Sequence, residues 1–102
     1  MVVTYTYKGL IDEKAPKNVE EVKFADGVTV IRRHAFAGCS NLNEVVIPNT
    51  VTKIEWGAFT SCTRLKSLVI SGSVKVIECQ AFSHCYCLEQ LILLNGVEEI
   101  HE

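Results

Sequence analysis

The chain lacks an excess of charge of either sign. Its 10 basic and 12 acidic side chains give a formal net charge of -2 over 102 residues. Proteins that bind nucleic acid or an anionic membrane present a basic face, so this balance argues against both classes. No apolar run approaches the roughly 20 residues that a membrane-spanning helix requires. Disorder is excluded too, because 48% of the residues are hydrophobic and supply a core.

The first residues lack the layout of a secretory signal peptide, which is a basic stretch followed by an apolar one. Instead, Val3, Tyr5 and Tyr7 alternate with smaller residues, which predicts a strand. The chain also has five cysteines, and an odd number leaves one thiol over in any complete disulfide framework. Both observations favour a reducing, cytoplasmic compartment.

What the sequence does contain is a segment that recurs every 23 residues. The residues that keep this step are Val28, Val51, Val74 and Val97; Ile31, Ile54, Ile77 and Ile100; Ala35-Phe36, Ala58-Phe59 and Ala81-Phe82; Cys39, Cys62 and Cys85; and Leu42, Leu65 and Leu88. Strict periodicity in this range is typical of a solenoid, in which each unit buries its apolar side only against its neighbours.

Each unit reads as one strand, one turn and one return segment. In the middle unit, Val51–Ile54 is extended, and residues 58–65 place their apolar side chains on one side of a short helix or 3₁₀ turn. Leu68–Ile70 follows as a strand whose two outer residues share the inward face. Stacking the units predicts one continuous parallel sheet. Its strands are Val22–Phe24, Val45–Ile47, Leu68–Ile70 and Leu91–Leu93.

The recurring string V-x-x-I-x-x-x-A-F-x-x-C-x-x-L resembles the BspA-like class of leucine-rich repeats. Complete copies begin at Val28, Val51 and Val74. The resemblance implies an α/β-type repeat solenoid: a right-handed coil with a parallel β-sheet on one face and short helices or 3₁₀ turns on the other. It also implies a recognition role, often at a microbial surface and in adhesion, with no catalytic residue, no metal and no cofactor.

The family usually has glycine directly after the repeated isoleucine. This chain has Arg32, Glu55 and Glu78 at that position, which predicts a wider turn. Residues 1–27 depart from the repeat, and we expect them to form a strand, a cap over the first coil and a degenerate first repeat. Residues 28–102 then hold three repeats and a truncated fourth.

The sheet face that looks away from the core is the predicted partner-binding surface. Its central row is Lys23, Val46, Val69 and Ile92, with Glu44 and Gln90 on one flank and Leu94 on the other. A row facing water is normally polar, so three β-branched apolar residues in line indicate an interface. The alternative is strand propensity, since Val and Ile favour strands in any setting.

One group of residues has metal-like chemistry. Cys79, His84, Cys85 and Cys87 would together suit zinc, which takes four tetrahedral ligands. Their spacing is not that of a known zinc motif, however, and Cys85 occupies the repeated cysteine position. The competing interpretation is a column of buried, reduced thiols at Cys39, Cys62 and Cys85, with the other two cysteines incidental.

The remaining polar residues give weaker signals. His34, His84 and His101 form no recognisable catalytic set with a serine and an acid. The run Arg32-Arg33-His34 would suit a phosphate or, alternatively, a solvated turn, with His34 at the surface. Trp56 is either a binding residue or packs over the neighbouring coil.

Three function hypotheses follow. The first is a non-enzymatic, adhesion-like protein-recognition module that uses the outward sheet face. The second is a structural segment of a longer solenoid, and the third is a thiol or zinc site at Cys79, Cys85 and Cys87. In addition, the last strand leaves its edge open. We therefore expect either self-association through Leu91–Ile100, as a homodimer, or a fragment whose next coil covers that surface.

Overall fold

The structure is a computed structural model that describes residues 2–93 and 99–101, without the side chains of Leu93 and Glu99. Nine short strands lie in these residues, and no helix occurs among them, so none of this part of the chain forms a membrane-crossing helix. The strands are β1 (Thr4–Tyr7), β2 (Glu21–Phe24), β3 (Val30–Ile31), β4 (Glu44–Val46), β5 (Lys53–Ile54), β6 (Ser67–Ile70), β7 (Val76–Ile77), β8 (Gln90–Leu93) and β9 (Glu99–Ile100).

All the strand pairs in the described residues are parallel. β4, β6 and β8 form one sheet, in which Val46 pairs with Val69 and Val69 with Ile92. β3, β5, β7 and β9 form a second sheet, in which the repeated isoleucines are direct partners. The sequence predicted only the first sheet. The second arises because the extended start of each repeat also stacks on its successor, so the solenoid has two hydrogen-bonded walls.

The predicted first strand of the main sheet, Val22–Phe24, pairs elsewhere. It belongs to β2, which lies parallel to β1 with Phe24 opposite Tyr7. β2 and β4 approach each other without sharing a ladder of hydrogen bonds. Glu21 and Glu44 stand at equivalent positions on these two strands, and like charges directly opposite each other disfavour pairing. The prediction of one continuous four-stranded sheet is therefore wrong at its first strand.

The return segments, predicted as short helices or 3₁₀ turns, are chains of turns without a regular helix in the described residues. Their backbone φ is positive at two positions in each repeat. These are His34, Gly57 and Gln80 (56°, 65° and 58°) and Gly38, Ser61 and His84 (73°, 61° and 61°). A helix needs negative φ throughout, so these left-handed residues divide each return into turns.

Alternate amides of the returns serve different partners. The amides of His34, Phe36 and Gly38 donate to the carbonyls of Trp56, Ala58 and Thr60 in the next coil, at 3.1, 2.7 and 2.8 Å. The amides between them, of Ala35, Ala37 and Cys39, donate to the carbonyl three residues earlier in the same coil. An α-helix would use these amides internally. Here half of them join successive coils, and the same pattern recurs between the second and third returns.

The core is a column of aromatic rings along the solenoid. Phe36 and Phe59 are fully buried and stack in succession, with Phe82 next to Phe59 at a centroid distance of 6.0 Å. Tyr7 of β1 continues the column at the other end, 5.0 Å from Phe36. Tyr7 is fully buried, and its hydroxyl oxygen accepts a 2.8 Å hydrogen bond from the Arg32 amide. The N-terminal segment thus covers the first coil.

Candidate functional site

The outward row of the main sheet forms an apolar stripe. Val46 is 65% exposed and Ile92 is 43% exposed, while Val69 between them is half-buried. Because neighbouring strands lie about 4.8 Å apart, their registered side chains are adjacent. Glu44 and Gln90 are both exposed and flank this stripe. They lie on either side of Ser67, which pairs with both.

One predicted member of the row, Lys23, stands apart from it. Lys23 is exposed but lies on β2, which pairs with β1 in a separate two-stranded sheet. Leu94 lies outside the described residues. On that flank, Pro48 and Ser71 are half-buried, and the Ser71 hydroxyl donates to the Pro48 carbonyl at 3.1 Å. The structure therefore brings together Val46, Val69 and Ile92 with Glu44 and Gln90.

A cleft of about 740 Å³ adjoins the stripe where β2 and β4 separate. Its lining is Val2, Glu20, Glu21, Val22, Asn41, Asn43, Glu44, Val46, Arg64, Lys66 and Cys87. Arg64 donates from Nη1 to Asn41 Oδ1 at 3.3 Å, from one coil to the next. The sequence did not indicate this cleft. The cleft exists because β2 and β4 share no ladder of hydrogen bonds. The residue pattern of the repeat did not predict this gap.

The repeated cysteines form the predicted thiol column, with one correction. Cys39 and Cys62 are fully buried, but Cys85, in the last of the three repeats, is only half-buried. Each thiol donates to a carbonyl of the preceding segment; the Cys62 bond to Phe36 O measures 3.1 Å. Burial raises the pKa of the Cys39 thiol to about 11 and also raises that of Cys85. All five cysteines are unpaired.

The residues of the thiol or zinc hypothesis are not gathered into a metal site. In the described ranges no group of three or more His, Cys, Asp or Glu side chains is placed to hold a metal ion. The Cys85 thiol donates to the Phe59 carbonyl at 3.2 Å, whereas Cys87 is exposed. His84 Nδ1 lies 3.0 Å from the Ser83 hydroxyl. Cys85 and His84 therefore each have a local partner, and Cys79 is half-buried.

The side chains that follow the repeated isoleucine link neighbouring segments. Arg32 donates from Nε to the Gly9 carbonyl at 2.9 Å. The Glu55 carboxylate accepts a hydrogen bond from the Arg33 amide at 3.1 Å. Trp56 occupies the position of Arg33 in the next coil, and its amide donates to the Glu78 carboxylate, also at 3.1 Å. These side chains therefore cap backbone groups of neighbouring segments, and Arg33 itself is exposed, in keeping with a solvated turn.

His34 is half-buried, not a free surface residue. Its ring meets the Trp56 indole edge-on, with centroids 4.7 Å apart and 66° between the planes. In the sequence, His34 aligns with Gly57 and Gln80, and these three side chains have no chemistry in common. What the three share is a positive φ, and Gly57 was the signal that could have revealed it.

Parallel strands in a 23-residue register, wound about one apolar core, define a leucine-rich-repeat solenoid. The chain belongs to the BspA type leucine rich repeat family, whose model matches residues 14–102 with six copies. A leucine rich cell surface protein from Faecalibacterium prausnitzii A2-165 has the same fold, with a TM-score of 0.77 and 24% identity. The match covers 89% of this chain and 26% of that one, so this chain spans about a quarter of its length. No curated protein matches.

Proposed function

We propose that this chain is a non-enzymatic recognition module that binds a protein partner through the outward face of the β4–β6–β8 sheet. The stripe of Val46, Val69 and Ile92, in direct register, carries this proposal. Interface cores are depleted in charge and surrounded by a polar rim. Here Glu44 and Gln90 provide one side of such a rim, so the face has the composition of a small interface.

The family supports interaction in general, and the solved cell surface protein with the same fold supports an adhesion-like setting. We keep the division into a capping region, residues 1–27, and a repeat region, residues 28–102, for this module. The burial of Tyr7, Ala15 and Val19 against the repeats supports it. In this arrangement the cap stabilises the first coil while the repeats present the binding face.

The test is a triple variant, Val46→Thr/Val69→Thr/Ile92→Thr, which keeps β-branched side chains but makes the stripe polar. Immobilised wild-type chain and variant are incubated with the same mixture of extracellular-matrix and epithelial surface proteins. We expect the variant to lose the proteins that the wild type captures. The matched control, Leu10→Thr/Tyr86→Thr, removes two exposed apolar side chains away from the sheet face and should retain them. Equal loss in both variants, or in neither, would contradict the proposal.

A second candidate is a structural segment of a longer solenoid. The observation that favours it is the share of the solved cell surface protein that this chain covers, 26%. In that case the sheet face has no partner of its own. The triple variant would then bind the same proteins as the wild type, while both remained folded.

A further inference from the structure

A second cleft opens where the chain leaves β3, β5 and β7, away from the outward sheet face. Its volume is about 420 Å³. The residues that line it, Ile11, Asp12, Arg32, Arg33, Glu55, Trp56 and Glu78, define the Trp56 cleft. We propose that the Trp56 cleft binds a neutral saccharide of one or two rings, with the Trp56 indole as its stacking surface.

The aromatic wall of the cleft is both accessible and held in place. Trp56 is 39% exposed, and the His34 ring packs against it at a centroid distance of 4.7 Å. His34 in turn lies over Gly57, where a Cβ atom would come within 3.0 Å of its Cε1. An indole combines a broad apolar face with one polar N–H. This combination matches a sugar ring, which has an apolar C–H face and a polar periphery.

The carboxylates of the cleft are fixed before any ligand arrives. Glu55 Oε1 accepts the Arg33 amide at 3.1 Å, and Glu78 Oε1 accepts the Trp56 amide at 3.1 Å. Glu78 Oε2 also lies 3.3 Å from Lys53 Nζ. A carboxylate has about four acceptor positions, so these bonds orient the groups and leave acceptor capacity for a ligand.

The charge of the lining selects for a neutral ligand. Asp12, Glu55 and Glu78 bring three carboxylates, and Arg32 and Arg33 bring two guanidinium groups, into the same cleft. A strongly charged ligand of either sign would meet groups of its own sign. A sugar hydroxyl donates to a carboxylate and accepts from a guanidinium. The volume falls within the usual range for small-molecule sites, about 300–1,000 Å³.

The opposite wall is preorganised by one carboxylate. Glu13 accepts the amide of Leu10 at 2.9 Å and the amide of Lys8 at 3.1 Å, which fixes the loop that carries Ile11 and Asp12. A fixed wall reduces the ordering cost of binding. A peptide ligand would normally anchor a large side chain in a deep apolar pocket. Polar groups around a single indole favour the saccharide instead.

Trp56 is the only tryptophan in the chain, so its fluorescence reports directly on the cleft. The full chain is titrated with cellobiose, lactose, maltose and chitobiose up to their solubility limits. We expect a saturable change in emission with at least one disaccharide. Asp12→Asn and Arg33→Gln should each weaken that binding about tenfold, the loss of one hydrogen bond to a charged group. Val46→Thr on the sheet face should leave it unchanged.

A tryptic digest of serum albumin, titrated in parallel, separates saccharide from peptide binding. A response to the peptides and to none of the four disaccharides would overturn the proposal in favour of a peptide site. Silence toward all probes, or binding that survives Asp12→Asn/Arg33→Gln, would overturn it outright. Far-ultraviolet circular dichroism of each variant verifies that the fold is intact. None of these outcomes bears on the sheet face, which is tested by protein capture alone.

Discussion

The phenyl rings of Phe36 and Phe59 lie almost parallel, with centroids 5.0 Å apart and 8° between their planes. Both side chains are fully buried. The 23-residue step places the ring of one coil directly over the ring of the previous coil. A coil of a different length would move the next ring out of this stack. Phe59 has a ring on each side, whereas Phe82 is only partly buried at the end of the column.

Phe59→Ala is expected to lower the free energy of unfolding by about 3–5 kcal/mol, because it removes a buried ring and leaves a cavity between two coils. Phe82→Ala should cost less, since Phe82 is partly exposed before it is truncated. Urea unfolding followed by circular dichroism measures both values. A smaller loss for Phe59→Ala than for Phe82→Ala would contradict the order of burial.

The left-handed positions predict opposite effects for two matched substitutions. Gly57→Ala should destabilise the chain by more than about 1 kcal/mol, because it adds left-handed strain and pushes against His34. Gln80→Gly, at the equivalent position of the next repeat, removes such strain. It should be neutral or stabilising by up to about 1 kcal/mol, since the flexibility of glycine offsets part of the gain. Equal effects in the two variants would show that φ does not govern this position.

The buried thiols predict a loss of stability at alkaline pH. An unfolded Cys39 ionises near 9.0, but in the folded chain burial raises its pKa to about 11. Between these values the unfolded state binds fewer protons, so the free energy of unfolding falls as pH rises. Burial raises the pKa of Cys62 in the same direction. Denaturation measured from about pH 8 to pH 10 should show this slope.

Cys39→Ala/Cys62→Ala should flatten that alkaline slope, whereas the exposed Cys87 can be changed to alanine without effect on it. Tyr5 and Tyr7 also have pKa values raised to about 12, so the unfolded chain continues to lose protons above pH 10. A slope that is the same in the wild type and the double variant would assign the alkaline loss to the tyrosines.

Glu13 predicts a matching loss at acid pH. Burial raises the pKa of its carboxyl, but hydrogen bonds from Tyr5 and from the amides of Leu10, Lys8 and Gly9 outweigh burial and lower it overall. Its stabilising effect is therefore complete above the unfolded value of 4.5 and is lost as pH falls through the lower folded value. Glu13→Gln should cost about 1 kcal/mol at neutral pH and reduce the acid dependence. Glu89→Gln, at an exposed position far from this loop, serves as the control.

The exposed apolar side chains on β8 and β9 predict self-association. β8 and β9 are the outermost strands of their sheets in the described ranges, and Leu91 and Ile100 on them are 45% and 56% exposed. Unpaired strand edges with apolar side chains pair with other chains. We expect a dimer in light scattering across a concentration series, and Leu91→Lys should shift it to monomer. Residues 94–98 of the predicted contact, Leu91–Ile100, lie outside the described residues.

The periodic part of the fold followed from the sequence. The recurring valine, isoleucine, phenylalanine and leucine positions predicted which side chains are buried, and Phe59, Cys62 and Leu65 are indeed fully buried. A repeat reveals such positions because every coil presents the same surface to its neighbours. The parallel pairing of β4, β6 and β8 follows for the same reason.

The features that depend on backbone conformation did not follow from the sequence. Apolar residues at steps of three were compatible with a helix, but a residue of positive φ does not alter that pattern. Only Gly38 and Gly57 indicated a positive φ in the sequence. The equivalent positions in other repeats hold Ser61 and Gln80, which do not normally indicate one. The pairing of β2 with β1 was hidden too, because β1 lies before residue 14, where the match to the repeat family begins. The Trp56 cleft likewise combines the loop of Ile11 and Asp12 with residues of three coils.

The alternating amides of the return segments set two different routes to hydrogen exchange. The amide of Phe36 exchanges only when its coil separates from the next, because it donates to Ala58. The amide of Ala37 donates within its own turn, to His34, and a local opening releases it. Deuterium uptake along one return should therefore alternate between slow and fast from residue to residue. The slow amides report how firmly the coils hold together, and the fast ones report only the turn in which they lie.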